Sequence, residues 1–193
     1  MRVYVFLKNG FEEVEALTIT DYLRRAGIPV ELVSFEKNLA VTGGHRINVL
    51  ADKLSHEISI TKDTAIFIPG GMLQMVSLQK DERAIAYIKE ANKVNAFLIG
   101  ICAATMVLEE AGVIKNRVVT SFPGFEDELK SIKKYSQKPV VRDANIITSR
   151  GPQTADDLAY YLIGLFKDET IKQKVKEDTL FGIENLGEEE NNK

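Results

Sequence analysis

The sequence predicts an α/β fold with a mainly parallel sheet covered by helices on both faces, and three observations carry that prediction. Short apolar runs rich in β-branched and aromatic residues alternate along the chain with helix-length amphipathic stretches. The runs are apolar at every position rather than every second one, as in strands buried on both faces. The length of 193 residues, 45% of them hydrophobic, suffices for one full core.

Arg2-Val3-Tyr4-Val5-Phe6-Leu7, stopped by Lys8-Asn9-Gly10, reads as a buried strand and a turn. A helix is expected from Glu12 to Ala26, closed by Gly27 as a left-handed cap with Pro29 beyond it. Val30 to Phe35 is the second strand, parallel to the first and beside it, because a strand–helix–strand unit closes that way. Val41 to Leu50, with Gly43-Gly44 inside it, reads as a hairpin off the sheet. Thr64–Ile68 is a strand, Pro69-Gly70-Gly71 a turn, 81–94 a helix and 96–101 a strand. After Cys102 a short helix runs from Ala103 to Ala111 and stops at Gly112. Val118–Thr120, Pro139–Arg142 and Ile146–Thr148 are further β-rich pieces before a helix from Ala155 to Phe166. Thr154 and Asp157 have the spacing of a capping box at its start. A charged amphipathic helix covers 169–176, and residues 187–193 form an acidic tail expected to be disordered. One domain, residues 1–186, is expected.

Composition removes several classes of function. No apolar run approaches the ~18 residues that cross a bilayer, and the first residues lack a secretory signal pattern, so a soluble, cytoplasmic protein is expected without a membrane partner. One cysteine and two histidines are too few for a structural zinc site, and the lone cysteine makes no internal disulfide. A net charge of -3 gives no basic footprint for nucleic acid. No cofactor and no metal are expected.

Cys102 is then either a small buried hydrophobe or a reactive group. It stands where an apolar strand hands over to a helix, in Gly100-Ile101-Cys102-Ala103-Ala104. Such a tight turn projects its central side chain from the carboxyl edge of a sheet and needs small flanks. A helix start also favours a thiolate, predicting a depressed pKa. Glu15 is the second candidate. At ~100° per residue it falls among Phe11, Ala16, Ile19, Tyr22, Leu23 and Ala26 on the apolar arc, while Glu13 falls with Thr20 and Arg24 on the polar side. A buried carboxyl must be protonated, paired or hydrogen-bonded, and burial raises its pKa toward the range of proton transfer. A first-turn acid also suits the helix dipole, and Glu12, at the edge of the arc, is the competing assignment. The Gly70-Gly71 turn can aim N–H groups at an anion, and loops from the carboxyl ends of parallel strands meet at one place. His45 and His56 precede Cys102 and read as surface residues. His45, beside Arg46 in a Gly-rich loop, could meet an anionic ligand across a subunit contact.

The segments Gly10-Phe11-Glu12-Glu13-Val14-Glu15, Pro69-Gly70-Gly71, Gly100-Ile101-Cys102-Ala103-Ala104 and Thr148-Ser149-Arg150-Gly151-Pro152 resemble the ThiJ/PfpI superfamily, in the branch of the parkinsonism-associated protein deglycase. The resemblance runs over about residues 2–176. It implies a flavodoxin-like three-layer α/β/α sandwich with a nucleophile elbow, usually a homodimer. By position, Cys102 resembles the family nucleophile and oxidisable thiol, Glu15 the carboxyl group bonded to it, and Gly71 and Ala103 the oxyanion-hole N–H pair. Gly70, Gly100, Arg25 and His45 complete the reading as supporting or substrate-binding residues. The activity implied is cysteine-dependent glyoxalase or protein deglycase chemistry, hydrolase or lyase in type, on small dicarbonyls such as methylglyoxal or on glycated protein. The alternative is a redox sensor or redox-regulated chaperone, active in oxidative stress and switched by oxidation of Cys102. Amidase or peptidase chemistry is disfavoured, because Ala103 stands where protease-type members have histidine and no histidine follows. Phe122 stands where deglycase-type members often have one, so Glu15 would handle protons alone.

Overall fold

The computed structural model describes residues 1–182. Residues 183–193, with the expected domain end at 186 and the tail at 187–193, lie outside the described residues. In chain order the elements are β1 (Arg2–Leu7), α1 (Glu13–Arg25), β2 (Val30–Ser34), β3 (Ala40–Thr42), β4 (Asn48–Leu50), β5 (Lys53–Leu54), β6 (Thr64–Ile68), α2 (Met72–Gln79), α3 (Glu82–Lys93) and β7 (Phe97–Ile101). They continue with α4 (Thr105–Glu110), β8 (Val118–Val119), β9 (Lys134–Tyr135), β10 (Val140–Asp143), β11 (Ile146–Ser149), α5 (Ala155–Phe166) and α6 (Glu169–Asp178).

The main sheet has the order β10-β11-β7-β6-β1-β2-β5. It is parallel except for β10, which pairs antiparallel with β11 at one edge. Alternation along each strand sends apolar side chains to both faces. Tyr4, Phe6, Ile66, Ile68 and Leu98 pack on the side of α2, α3 and α4, and Val3, Val5, Leu7, Phe67 and Ile99 on the side of α1, α5 and α6. The result is a flavodoxin-like three-layer α/β/α sandwich. Residues 40–50 form the expected hairpin, with Val41 opposite Val49. Among the described residues no helix is long and apolar enough to cross a membrane.

The structure departs from or goes beyond the sequence reading at three places. Helix α2 has no counterpart in the sequence reading, because Met72, Leu73 and Val76 are exposed while Met75 and Leu78 are buried, which erases the amphipathic stripe. Thr154 does not cap α5: its hydroxyl turns back to donate to the Gly151 carbonyl and lies 2.7 Å from the Ser149 hydroxyl. Val118–Val119 does not join the main sheet but pairs in parallel with Lys134–Tyr135.

Chain order places the site. From β1 the chain runs to β2 on one side, then returns to pair β6 with the other side of β1. A crevice opens at the carboxyl ends where strand order reverses. The exits of the adjacent strands β1, β6 and β7 deliver Glu15, Gly70-Gly71 and Cys102 there.

Candidate active site

Cys102 follows β7 with φ +62, in the left-handed region that L side chains rarely adopt. The strain is of order 1–2 kcal/mol, and it turns the thiol out of the strand line as a nucleophile elbow does. The side chain is half-buried. Glu15, one turn into α1, is 0% exposed, as its apolar arc predicts. Its Oε2 accepts a 2.6 Å bond from the Gly70 N–H, and its Oε1 is buried with no partner.

Gly70 is the spacer between these groups. A Cβ on it would meet Glu15 Oε2 at 2.6 Å, Cys102 Cβ at 2.7 Å and Cys102 Sγ at 3.1 Å. The thiol and carboxyl therefore crowd the space that a Gly70 side chain would fill and lie within about 5.7 Å of each other. Gly71 has φ +101, and a Cβ there would overlap the Gly10 carbonyl oxygen, so no larger residue fits. As the N-cap of α2, it keeps its own N–H outside the helix bonding. Gly100 packs under the elbow, where a Cβ would lie 3.1 Å from Leu108.

Burial raises the Glu15 carboxyl to about 7, with the Glu12 charge adding and the Gly70 N–H and the Cys102 thiol opposing. Burial pushes the Cys102 thiol up to about 12, helped by the negative charge of Glu15 and opposed by the Ala103 N–H. This corrects the expectation that a helix start alone depresses the thiol pKa. The elbow leads through a single 3-10 turn into a helix of six residues, and burial beside a carboxylate outweighs so short a dipole. The charge of Glu15 acts on sulfur only while Glu15 is ionised. With a proton on Glu15 that repulsion is gone and an O–H donor is available to the sulfur. The pair thus ionises as a unit, carrying one negative charge beyond the first step, and the remaining proton can rest on oxygen or on sulfur.

Glu13 is not on a solvated face. It is 3% exposed because the β3–β4 hairpin folds over it. Its Oε1 accepts from the His45 and Ile47 N–H groups at 2.6 and 3.4 Å, and its Oε2 lies 2.8 Å from His45 Nδ1. The His45 ring is held there and has its pKa raised by Glu13 and Glu12. Glu12, Glu13 and His45 bring donor atoms within 4.8 Å of one another, but both Glu13 oxygens already hold the hairpin. His56 lines a separate cleft of about 770 Å³ with Lys8, Phe35 and Arg83, which includes neither Cys102 nor Glu15. Arg25 does not join the site. It lies at the far end of α1, half exposed, paired at 2.7 Å with Asp21.

One residue of the site escapes a reading by sequence, and Phe122 lies where the sequence placed it. Gln74 is fully buried and bonded to both strand exits, and only its polarity within an otherwise apolar stretch hints at this. Phe122 stands half exposed by the elbow, its N–H 3.4 Å from the Cys102 carbonyl.

A family model described as the DJ-1/PfpI family matches residues 1–164. The protein dj-1beta of Drosophila melanogaster is 30% identical over 174 residues, covering 90% of this chain and 91% of that one. Deglycase PfpI of Pyrococcus furiosus is 29% identical over 153 residues, covering 79% and 91%. Among solved structures, Drosophila melanogaster DJ-1beta superposes with a TM-score of 0.87 at 28% identity over 93% of this chain and 98% of that one. Oxidized Toxoplasma gondii DJ-1 superposes at 0.86, also 28% identical, over 94% and 98%.

Proposed function

The chain belongs to the DJ-1/PfpI family, and from that premise we propose that it is a cysteine-dependent, cofactor-independent enzyme of the glyoxalase or deglycase type, acting on dicarbonyls such as methylglyoxal or their early protein adducts. One observation carries the reading: a buried carboxyl with an unpartnered oxygen, titrating near neutrality, beside a thiol on a strained elbow. The deglycase named among its relatives supports the same chemistry.

In the proposed reaction Sγ of Cys102 adds to the aldehyde carbon while the thiol proton passes to Glu15. The oxyanion lies toward the N–H groups of Gly71 and Ala103 and takes that proton, giving a hemithioacetal. Glu15 then removes the hydrogen of that carbon as a proton and returns it to the neighbouring carbonyl carbon, and the hydroxyl proton of the hemithioacetal passes by way of Glu15 to the neighbouring oxygen. One carbon is oxidised, its neighbour is reduced, and a thioester results. Water cleaves it, releasing lactate from methylglyoxal or glycolate from glyoxal and restoring the thiol. No histidine is required, since Glu15 takes and returns each proton. Methylglyoxal loss and lactate formation are measured for wild type, Cys102→Ala and Glu15→Gln; equal rates in all three sink the reading.

A homodimer is part of the proposal. Val14, Ile47 and Leu50 are 52%, 50% and 71% exposed on α1 and the hairpin that Glu13 ties together, an apolar face suited to a second copy. A monomer by light scattering at micromolar concentration removes it. The redox alternative uses the same sulfur, held by the Ala103 N–H and a carboxyl. Selective dioxidation of Cys102 by mild peroxide, without dicarbonyl turnover, replaces the enzyme reading. Either role suits a reducing compartment such as the cytoplasm.

A further inference from the structure

Gln74 is 0% exposed on a helix whose Met72 and Leu73 face outward. An amide buried in an apolar layer costs stability unless bonded, and this one is bonded at both ends. Its Oε1 accepts from the Lys8 N–H at 2.7 Å, where β1 ends, and its Nε2 donates to the Pro69 carbonyl at 2.7 Å, where β6 ends. The second bond bears on the site through the peptide group. The Pro69 C=O and the Gly70 N–H belong to one planar trans unit and point in opposite directions. Gln74 grips one end, and the other donates to Glu15 at 2.6 Å. Bonding at the carbonyl also polarises the unit and strengthens its N–H as a donor. In the next peptide the Gly70 C=O accepts from the Glu12 N–H at 3.0 Å, with Gln74 Nε2 at 3.5 Å, and the opposite end is the Gly71 N–H.

We propose that Gln74 is a positioning residue for the thiol–carboxyl pair: by fixing the Pro69–Gly70 peptide it sets the donor that holds Glu15 against Cys102 and the plane from which the Gly71 N–H is aimed. Only the kinetic arm of its test rests on the enzymatic reading above. The titratable groups facing Glu15 are Cys102 from the elbow and Glu12 from its own helix. Glu13 and His45 are bonded to each other in the hairpin, and α2 carries no ionisable residue.

The test is the pH profile of Cys102 alkylation by iodoacetamide, which needs no substrate, for wild type and Gln74→Met. The expected result is an inflection near 7 in wild type that moves up by about half a unit to one unit in the variant, as a carboxylate loses part of one N–H donor. Methylglyoxal turnover falls about tenfold in kcat with KM changed less than about twofold, since alignment and not substrate contact is lost. If Gln74→Met does not fold, Gln74→Asn, one methylene shorter, is read the same way. An unmoved inflection overturns the assignment, whatever happens to turnover or melting temperature. A wild type that shows the inflection but turns over no dicarbonyl overturns the enzyme reading and leaves the alkylation profile to decide the role of Gln74.

Discussion

Replacing Glu15 by Gln gives the buried carboxyl a thermodynamic signature that does not depend on any substrate. The Glu15 carboxyl is raised from 4.5 to about 7 in the folded chain. Below pH 4.5 both folded and unfolded states hold the proton, and the carboxyl carries no penalty. Between 4.5 and 7 the unfolded chain releases it while the folded chain keeps it, so stability falls as pH rises through this window and is level above it. A shift from 4.5 to about 7, at 1.36 kcal/mol per pK unit, amounts to about 3 kcal/mol. Glutamine keeps the shape and an acceptor for the Gly70 N–H but cannot ionise. The stability of Glu15→Gln minus that of wild type should therefore rise by about 3 kcal/mol between pH 4.5 and 8, a change of roughly 6–12 °C in melting temperature for a chain of this size. The chain has no tryptophan, so urea unfolding is followed by far-UV circular dichroism under reducing conditions. Glu13→Gln is the control of opposite sign. The amides and ring of His45 hold the Glu13 carboxyl below its ordinary pKa despite burial, so its contribution is present above pH 4.5 and lost as pH falls. A difference between Glu15→Gln and wild type that stays flat from pH 4.5 to 8 refutes the reasoning.

Three further outcomes are expected. Glu13→Ala leaves the His45 and Ile47 N–H groups without their acceptor and should cost about 1–3 kcal/mol. Hydrogen exchange should localise the loss to residues 43–50, and uniform loosening of the sheet would contradict the clamp. Gly71→Ala forces a side chain into a backbone with φ +101 against the Gly10 carbonyl; at least ~1–3 kcal/mol of strain should appear as a lower urea midpoint, together with loss of turnover. Arg25→Ala removes an exposed pair with Asp21 and should leave kcat/KM and stability within ~0.5 kcal/mol of wild type, whereas a large fall in kcat/KM would return Arg25 to the site.

What the sequence made legible follows from which features are local. Strands apolar at every position declare a sheet covered on both faces, and Gly27, φ +68, ends α1 where expected. Glu15 was legible because helix periodicity puts it among Ala16, Ile19 and Leu23, all 0% exposed. The same wheel misassigned Glu13, because a helix wheel describes one cylinder and not what folds onto it. Residues 40–50 lie far along the chain, and their amides turn a nominally polar face into a buried one. Gln74 was illegible for the same reason: its partners are Lys8, 66 residues away, and a carbonyl, which no side-chain pattern reports. The thiol pKa was misjudged because the helix-end effect is a local property, whereas the burial that raises it, with the Glu15 carboxylate adding to it, comes from tertiary packing.

The departures from ordinary local rules also gather in one place. Cys102 takes a left-handed backbone at φ +62. Arg46, Asn95, Asn116, Ala144 and Leu180 do so as well, but each stands in a turn or bend. Cys102 does so at the end of a central strand. Gly71 adopts φ +101 against a neighbouring carbonyl, Glu15 keeps a buried oxygen without a partner, and Gln74 puts an amide where the layer around it is apolar. Each departure lowers stability by itself, and stability selection acting alone would have removed them one at a time. Their concentration at three adjacent strand exits has a common consequence. A glycine at 70 and a left-handed elbow at 102 let the thiol and carboxyl face the space that a side chain at 70 would fill, and the proposed role of Gln74 is to hold the peptide between them from behind. In the reaction proposed above, this arrangement moves a proton between sulfur, oxygen and the bound carbonyl.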